Sequence, residues 1–239
     1  MKPSLGSFDE VGITKGFAGK LRIDANLFRR DFRDFADDDL LLNTGVSFPI
    51  AFTTGKIQGE EVRLEIPRWG RFSGFVSYAN QTGIGQGPIT GGLLLGEDAA
   101  SGLTDTSQFA ISQDQRNTFR GRLLVQALPR LWLALGAEYG SGLPVELGSG
   151  AIDFNFLLSQ YGAAVVNRVD FGRSRVRPSL SLDAGAGLDL YRRDKETLSL
   201  LVQTANLTDR VNVINFASLF SGTAIGPPRS VSARLRATF

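Results

Sequence analysis

The 239-residue sequence contains no cysteine and no histidine. Without cysteine it forms no disulfide framework, no thiolate metal site and no thiol-based catalytic centre. Without histidine it lacks the commonest general base and zinc ligand, and it has no Ser-His-Asp triad. We therefore expect neither an enzyme nor a protein that carries a catalytic metal ion or cofactor.

The sequence also lacks any apolar run of about 18 residues, the length that a membrane-spanning helix requires. Its opening residues, MKPSLGSFDEVG, do not show the charged and then apolar order of a secretory signal. The formal net charge is only +2 and no basic run stands out, so nucleic acid is not an expected partner. These absences leave membrane-spanning strands open, because such strands alternate and need no long apolar run.

Apolar and polar residues alternate at every second position along much of the chain, which is the period of a strand with two different faces. The alternation is clearest in residues 21–27, 62–66 and 180–190. Together with weaker patterns it predicts about nine strands, most of them near the roughly 9–11 residues of a tilted membrane strand. The remaining predicted strands are residues 10–17, 72–79, 118–127, 131–139, 198–207 and 231–239.

The links between these strands alternate strictly between short and long. Short links are predicted at residues 17–20, 67–70, 128–130 and 191–196, and long ones at 31–56, 80–116, 140–178 and 208–230. A soluble β-sandwich has little reason to keep this order. A transmembrane barrel keeps it, because periplasmic turns are short and outer loops are long.

Aromatic residues lie near the predicted strand ends. Two short links, IPRWGRF and LPRLWLA, place Trp69 and Trp132 beside an arginine, and Tyr139 and Tyr191 also lie near strand ends. Such positions are typical of the aromatic girdle at a membrane interface. Trp and Tyr also flank strands in ordinary β-proteins, so the girdle interpretation depends on the order of the links as well.

The last strand, RSVSARLRATF, has two chemically different faces. Val231, Ala233, Leu235 and Ala237 alternate with polar residues that include Arg234 and Arg236. A strand between lipid on one side and a wet lumen on the other must alternate in this way. It must also pair along both edges, because unpaired backbone groups in hydrocarbon cost several kcal/mol each.

Residues 204–239 resemble the last two strands of TonB-dependent outer-membrane receptors. The resemblance lies in Asn206-Leu207-Thr208-Asp209-Arg210, in Phe220 with Gly222-Thr223, and in Pro227-Pro228-Arg229 before the final strand. Residues 28–52 and 66–80 are similar to the barrels of large receptors of this family, including those with a carboxypeptidase-regulatory-like N-terminal domain. The resemblance implies an all-β fold: an incomplete antiparallel transmembrane β-barrel of about nine strands in the outer membrane of a Gram-negative-type bacterium.

The resemblance also implies partners and a domain assignment. Residues 1–239 correspond to the C-terminal part of a barrel, since about nine strands are two-fifths of the 22 in such barrels. The plug domain and coupling box, through which TonB would act, are not visible in the sequence. The barrel would contact lipid, and the assembly machinery would recognise the C-terminal strand through Val231, Ala233, Leu235, Ala237 and Phe239.

The expected function is therefore that of a barrel fragment of a receptor for active uptake of a scarce solute. A passive pore or a small self-closing barrel is the alternative, and a soluble β-protein is a third possibility. The sequence does not name the ligand. It also leaves open whether the chain is a gene fragment or an expressed protein, and whether it closes alone or oligomerises.

Two further motifs have a simpler interpretation than ligand binding. Asp31, Asp34, Asp37, Asp38 and Asp39 offer oxygen ligands for calcium, but their spacing does not match a calcium loop and nearby arginines neutralise them. A solvated outer loop is the preferred interpretation. The glycine-rich stretch GIGQG at residues 83–87 lacks the lysine and spacing of a phosphate-binding loop, and it is predicted to be a flexible outer loop.

Overall fold

The main body of the protein is one antiparallel sheet. The computed structural model describes residues 3–40, 47–91, 106, 108–111, 114–145, 153–193, 196–218 and 222–239. The strands of these residues are, in chain order, β1 (Leu5–Phe17), β2 (Leu21–Leu40), β3 (Ser47–Trp69), β4 (Phe72–Gly91), β5 (Gln108–Ala110), β6 (Asn117–Leu128), β7 (Leu131–Gly140), β8 (Val169–Asp170), β9 (Arg175–Val176), β10 (Ser179–Arg193), β11 (Glu196–Ala205), β12 (Val213–Ser218), β13 (Gly222–Ile225) and β14 (Ser230–Thr238).

Nine of these strands follow one another as neighbours in the wall. Their order is β1-β2-β3-β4-β6-β7-β10-β11-β14, and the short strand β5 pairs with β4 beside this path. Every pair in the path is antiparallel. The predicted nine-stranded antiparallel meander is thus confirmed. In the described part of the chain β1 pairs only with β2 and β14 only with β11, so the sheet is open.

Three wall strands are longer than the sequence pattern predicts. β2 continues to Leu40, β3 begins at Ser47 and β4 continues to Gly91, through much of the predicted loops 31–56 and 80–116. The loop prediction was wrong there because most of these residues do not continue the regular alternation from which strands are predicted. The backbone ladder nevertheless continues, with Asp31 opposite Lys56 and Lys56 opposite Ile84.

The long connection between β7 and β10 contains two helices that the strand pattern does not predict. Helix α1 (Phe154–Tyr161) begins after Asp153, whose carboxylate accepts hydrogen bonds from the backbone N–H groups of Asn155 (3.0 Å) and Phe156 (3.1 Å). This is a helix N-cap. Helix α2 (Ala163–Val166) follows Gly162, which has a φ of +76°. Neither described helix is long and apolar enough to cross a membrane.

The buried apolar residues of the described part lie in two small clusters, one among the long connections and one beside the outer part of β3. One cluster joins the connection between β7 and β10 to β12, and Tyr161 packs on it with its ring 5.0 Å from that of Phe216. Its buried members are Val145, Leu157, Val165, Val166, Val169, Val176, Val213 and Phe216. The other consists of Phe52, Ile57 and Ile111. The packed core therefore holds the long connections together, and most of the wall is one sheet thick.

Close contact between strands makes a testable difference between two glycines. A Cβ added at Gly74 would overlap the backbone carbonyl oxygen of Arg122, whereas one added at Gly16 would meet nothing within 4 Å. We expect Gly74→Ala to lower the free energy of unfolding by about 1–3 kcal/mol, and Gly16→Ala to change it by less than about 0.5 kcal/mol. Urea unfolding of the detergent-refolded chain measures both values. Equal losses in the two variants would contradict the observed approach of β4 to β6.

Candidate functional site

The antiparallel register sorts the side chains of the wall onto two faces. Leu123 of β6 lies opposite Gly74 of β4 and Leu135 of β7, and we call the face that carries it the apolar face. The opposite face, which carries Arg122 and Asp183, is the polar face. Apolar-face residues that are largely exposed include Val11 (75%), Ile13 (68%), Leu135 (57%) and Leu235 (64%). An apolar surface this large is not expected to remain in contact with water.

Aromatic residues border the apolar face at both ends. Tyr78, Phe119 and Tyr139 lie opposite one another on β4, β6 and β7 and form an upper row. Directly beyond this row the Tyr78 hydroxyl donates a hydrogen bond to the Asn117 side chain (2.6 Å), which also accepts one from Asn80 (2.9 Å). Along β4 and β6 the face therefore changes from apolar to polar over a distance of two residues.

The height of the apolar face is close to that of a membrane. On β10 it extends from Leu180, opposite Tyr139 in the upper row, to Tyr191 near the short turn. About eleven residue steps span roughly 36 Å along a strand, or about 25 Å at a tilt of about 45°. Outer-membrane barrels carry an apolar band of about 25 Å.

Three of the four predicted girdle residues lie on the apolar face. Trp69 is opposite Phe72, Tyr139 is opposite Leu180 and Tyr191 is opposite Leu198. Trp69 and Tyr191 lie near short turns and Tyr139 lies in the upper row, so they occupy both borders. Their contact with a membrane interface stays a prediction.

Trp132 lies on the other face, which corrects its girdle assignment. It is opposite Gln126 and Gly187, and a Cβ added at Gly187 would overlap the indole ring. Leu131 and Leu133 take the apolar face on either side of it. The alternation in LWLAL indicates this placement, whereas proximity to the turn does not distinguish the two faces.

Charged residues form rows across the polar face. Asp24 is opposite Arg63, and Arg120 is opposite Glu138. Asp24 accepts hydrogen bonds from Thr14 (2.7 Å) and Arg22, and Arg63 forms an ion pair with Glu65 (3.5 Å). Mixed charges of both signs are typical of the water-lined interior of a barrel.

A buried carboxylate joins two long connections to the wall. The Asp114 side chain is fully buried and accepts a hydrogen bond from the backbone N–H of Gly83 (2.8 Å). It forms ion pairs with Arg116 (3.0 Å) and with Arg175 of β9. Arg175 also donates to the carbonyl oxygens of Asp114 (2.8 Å) and Gly142 (3.1 Å). We call this group, Asp114 with Arg116 and Arg175, the outer latch.

The motif at residues 206–210 forms a second polar junction. The buried Asn206 donates from its side-chain amide to the carbonyl oxygens of Arg210 (2.9 Å) and Pro227 (3.1 Å). Its backbone N–H donates to the Asp183 carboxylate (2.9 Å). Asp209 accepts a hydrogen bond from the backbone N–H of Arg229 (3.0 Å). The two matching pieces NLTDR and PPR are therefore joined in space. Phe220, the third piece, lies outside the described residues.

The two minor motifs have structural explanations. Asp31 forms an ion pair with Arg29, and the described residues hold no group of three or more acidic side chains placed to bind a metal ion. The side chains of Asp37, Asp38 and Asp39 lie outside the described part of the structure. Residues 83–87 belong to β4 and are not a loop, which corrects that prediction. Gly85 leaves room for the side chains of Ile111 and Phe109.

Solved structures that match the fold of this chain include iron and siderophore receptors. The ferric-catecholate import receptor Fiu of Escherichia coli K12, in its closed form, matches with a TM-score of 0.63 and 17% identity over 99% of this chain. The FrpB iron transporter of Neisseria meningitidis matches with a TM-score of 0.61 and 13% identity over 100% of the chain. The siderophore receptor PiuA of Acinetobacter baumannii matches with a TM-score of 0.60 and 14% identity over 98%.

These matches confirm the resemblance at the level of fold: the chain has the fold of a partial barrel of TonB-dependent receptors. It covers 28% of Fiu, 31% of FrpB and 28% of PiuA. No family model matches the sequence, and no curated protein matches it.

The outer latch predicts different costs for removing two carboxylates. Asp114→Asn removes a fully buried charge that accepts from Arg116 and Arg175, so we expect the free energy of unfolding to fall by about 1.5–3 kcal/mol. Glu65→Gln removes one partner of a half-exposed ion pair and should cost less than about 1 kcal/mol. Urea unfolding of the refolded variants compares them. A loss in Asp114→Asn no larger than in Glu65→Gln would show that the latch does not hold the connections.

Proposed function

We propose that this chain forms part of the wall of an outer-membrane receptor barrel that takes part in TonB-dependent active uptake of a scarce solute. The observation that carries the proposal is the exposed apolar face, about 25 Å high, with aromatic residues at both borders and charged rows on its reverse. Such a wall has lipid on one side and a water-filled lumen on the other. The proposed role of this wall is to enclose part of the lumen through which the solute passes, and we assign it no catalytic role.

The solved structures with this fold suggest which solutes to test first. Fiu is described as a ferric-catecholate import receptor and FrpB as an iron transporter. Because of these two structures, ferric siderophores are the first candidates for this chain. Other solutes also need testing, since one barrel fold serves many ligands. TonB would act through a plug region and not through the wall itself.

The terminal strand is the proposed contact with the barrel assembly machinery. Its apolar-face residues Val231 (69% exposed) and Leu235 (64%) lie in line with Ala233 and Ala237, and Phe239 is 96% exposed. The edge of β14 that faces away from β11 has no neighbour in the described sheet. Free backbone groups along this edge are available to pair with another strand.

The direction of the strands favours a wall section over a self-closing pore. Nine strands paired antiparallel place β1 and β14 in the same direction, so closure of the sheet on itself would require a parallel seam. Antiparallel closure instead requires an odd number of further strands between the two edges. Bacterial single-chain barrels have an even number of strands, all antiparallel, as a completed wall of this kind would.

The two faces are tested with adjacent leucines of β6. Leu123 lies on the apolar face and Leu124 on the polar face, and their exposed fractions are alike at 39% and 42%. We expect Leu123→Arg to destabilise the chain folded in phosphatidylcholine vesicles by about 2–4 kcal/mol, and Leu124→Arg to have little effect. The measurement is the urea dependence of the protease-protected, heat-modifiable fraction.

The same pair distinguishes the membrane proposal from a soluble β-protein. In water the two substitutions should be equivalent, because both side chains are similarly exposed. Equal behaviour of the two variants, together with a monodisperse wild-type chain in the absence of detergent, would overturn the proposal.

Electrical recording separates a receptor wall from a passive pore. Because self-closure would need a parallel seam, we expect the refolded chain alone to give no stable, uniform conductance steps in planar bilayers. Reproducible steps of one size, lost in Leu123→Arg but kept in Leu124→Arg, would instead establish a self-closing or oligomeric pore.

A further inference from the structure

Two arginine side chains meet at one backbone carbonyl beside the first residue of β10, and a third arginine lies opposite one of them. Arg168 and Arg210 both donate hydrogen bonds to the carbonyl oxygen of Pro178, the latter at 3.0 Å. The backbone N–H of Arg177 donates to the carbonyl oxygen of Arg168 (2.7 Å) and so extends the pairing of β8 with β9 by one step. Arg168 and Arg177 are therefore directly opposite each other. We call Arg168, Arg177 and Arg210 the arginine cluster.

The cluster lacks the counter-charge that neighbouring arginines have. In the same region Arg173 pairs with Asp170, Arg175 with Asp114 and Arg229 with Asp209. No carboxylate of the described residues pairs with the cluster. Like charges placed directly opposite each other on paired strands are destabilising. As it stands, the arrangement costs stability and provides no compensating ion pair.

One donor of the cluster is buried without a partner. The Nε atom of Arg168 is out of contact with solvent and has no hydrogen-bond acceptor. Burial and then the positive charges of Arg210 and Arg177 lower the pKa of Arg168. A buried donor without an acceptor is uncommon and often marks the place of an ion or a water molecule.

We propose that the arginine cluster binds a phosphate group. A phosphate group brings up to two negative charges and several acceptor oxygens, enough to neutralise much of the cluster and to accept from its guanidinium N–H groups. Guanidinium groups bind phosphate by paired hydrogen bonds and charge. A carboxylate offers only two oxygens and one charge, which is less than three guanidinium groups require.

The position of the cluster allows two sources of phosphate. Leu180 is opposite Tyr139 in the upper aromatic row, and Pro178 precedes Leu180 by two residues. Two residues of extended chain span about 7 Å. The cluster therefore lies just beyond the apolar face, at a level that a lipid headgroup or a phosphate-bearing solute from outside can reach.

The test compares two neighbouring arginines of the same connection. Arg177→Gln removes one charge of the cluster, and Arg173→Gln removes a charge that is 84% exposed and already paired. The full-length chain is refolded in detergent, and its urea midpoint is measured in inorganic phosphate and in chloride at equal ionic strength. We expect phosphate to raise the midpoint of the wild type and of Arg173→Gln. Arg177→Gln should need roughly tenfold more phosphate for the same rise.

The phosphate-free samples give a second, independent readout. Because Arg177→Gln relieves repulsion, its midpoint without phosphate should equal or exceed that of the wild type. Arg168→Lys serves as a further variant, since it keeps the charge but removes the Nε donor and the planar fork. It should weaken the phosphate effect several-fold.

Vesicles distinguish the two sources. The chain is folded in phosphatidylcholine vesicles with and without phosphatidate, whose headgroup is a phosphomonoester, and Arg173→Gln again serves as control. Stabilisation by inorganic phosphate assigns the site to a solute, and stabilisation by phosphatidate alone assigns it to lipid. Failure of both to stabilise the wild type would overturn the proposal, as would equal losses in Arg177→Gln and Arg173→Gln.

Discussion

Backbone hydrogen bonding between neighbouring strands is the constraint on which the wall depends. Hydrocarbon offers no partner for a free N–H or C=O group, and each unpaired one costs several kcal/mol. The antiparallel ladders from β1 to β14 meet this demand for every inner strand of the described sheet. In the described sheet, β1 and β14 each have one edge that no other strand pairs with.

Buried polar groups attach the long connections to this wall. Asp114 ties the connection between β5 and β6 to β4 and β9, and Asn206 ties the end of β11 to the segment before β14. Each of these junctions satisfies buried donors and acceptors, which cost free energy when they are left unpaired. The arginine cluster is the exception, since among the described residues no carboxylate pairs with its charges and Arg168 Nε has no acceptor. This exception motivates the phosphate site.

Particular residues show how far the sequence could predict this arrangement. Alternation predicted the nine wall strands, because two residues per repeat is a local property of the chain. Closeness to a turn predicts the wrong face for Trp132, whereas its position in the alternation of LWLAL predicts the polar face on which it lies. The strand extensions to Leu40 and Gly91 carry an irregular pattern, so alternation predicts loops where the backbone ladder in fact continues.

The sequence by itself determined the period, the chemistry of each face and the resemblance of residues 204–239 to a known barrel end. Only the tertiary structure decided which residues meet: Asp114 with Arg175, Asn206 with Pro227, and Arg168 with Arg177 and Arg210. The physical reason is the separation along the chain over which each kind of interaction acts. Alternation acts between neighbours in the chain, whereas strand register and ion pairing join residues up to 61 positions apart.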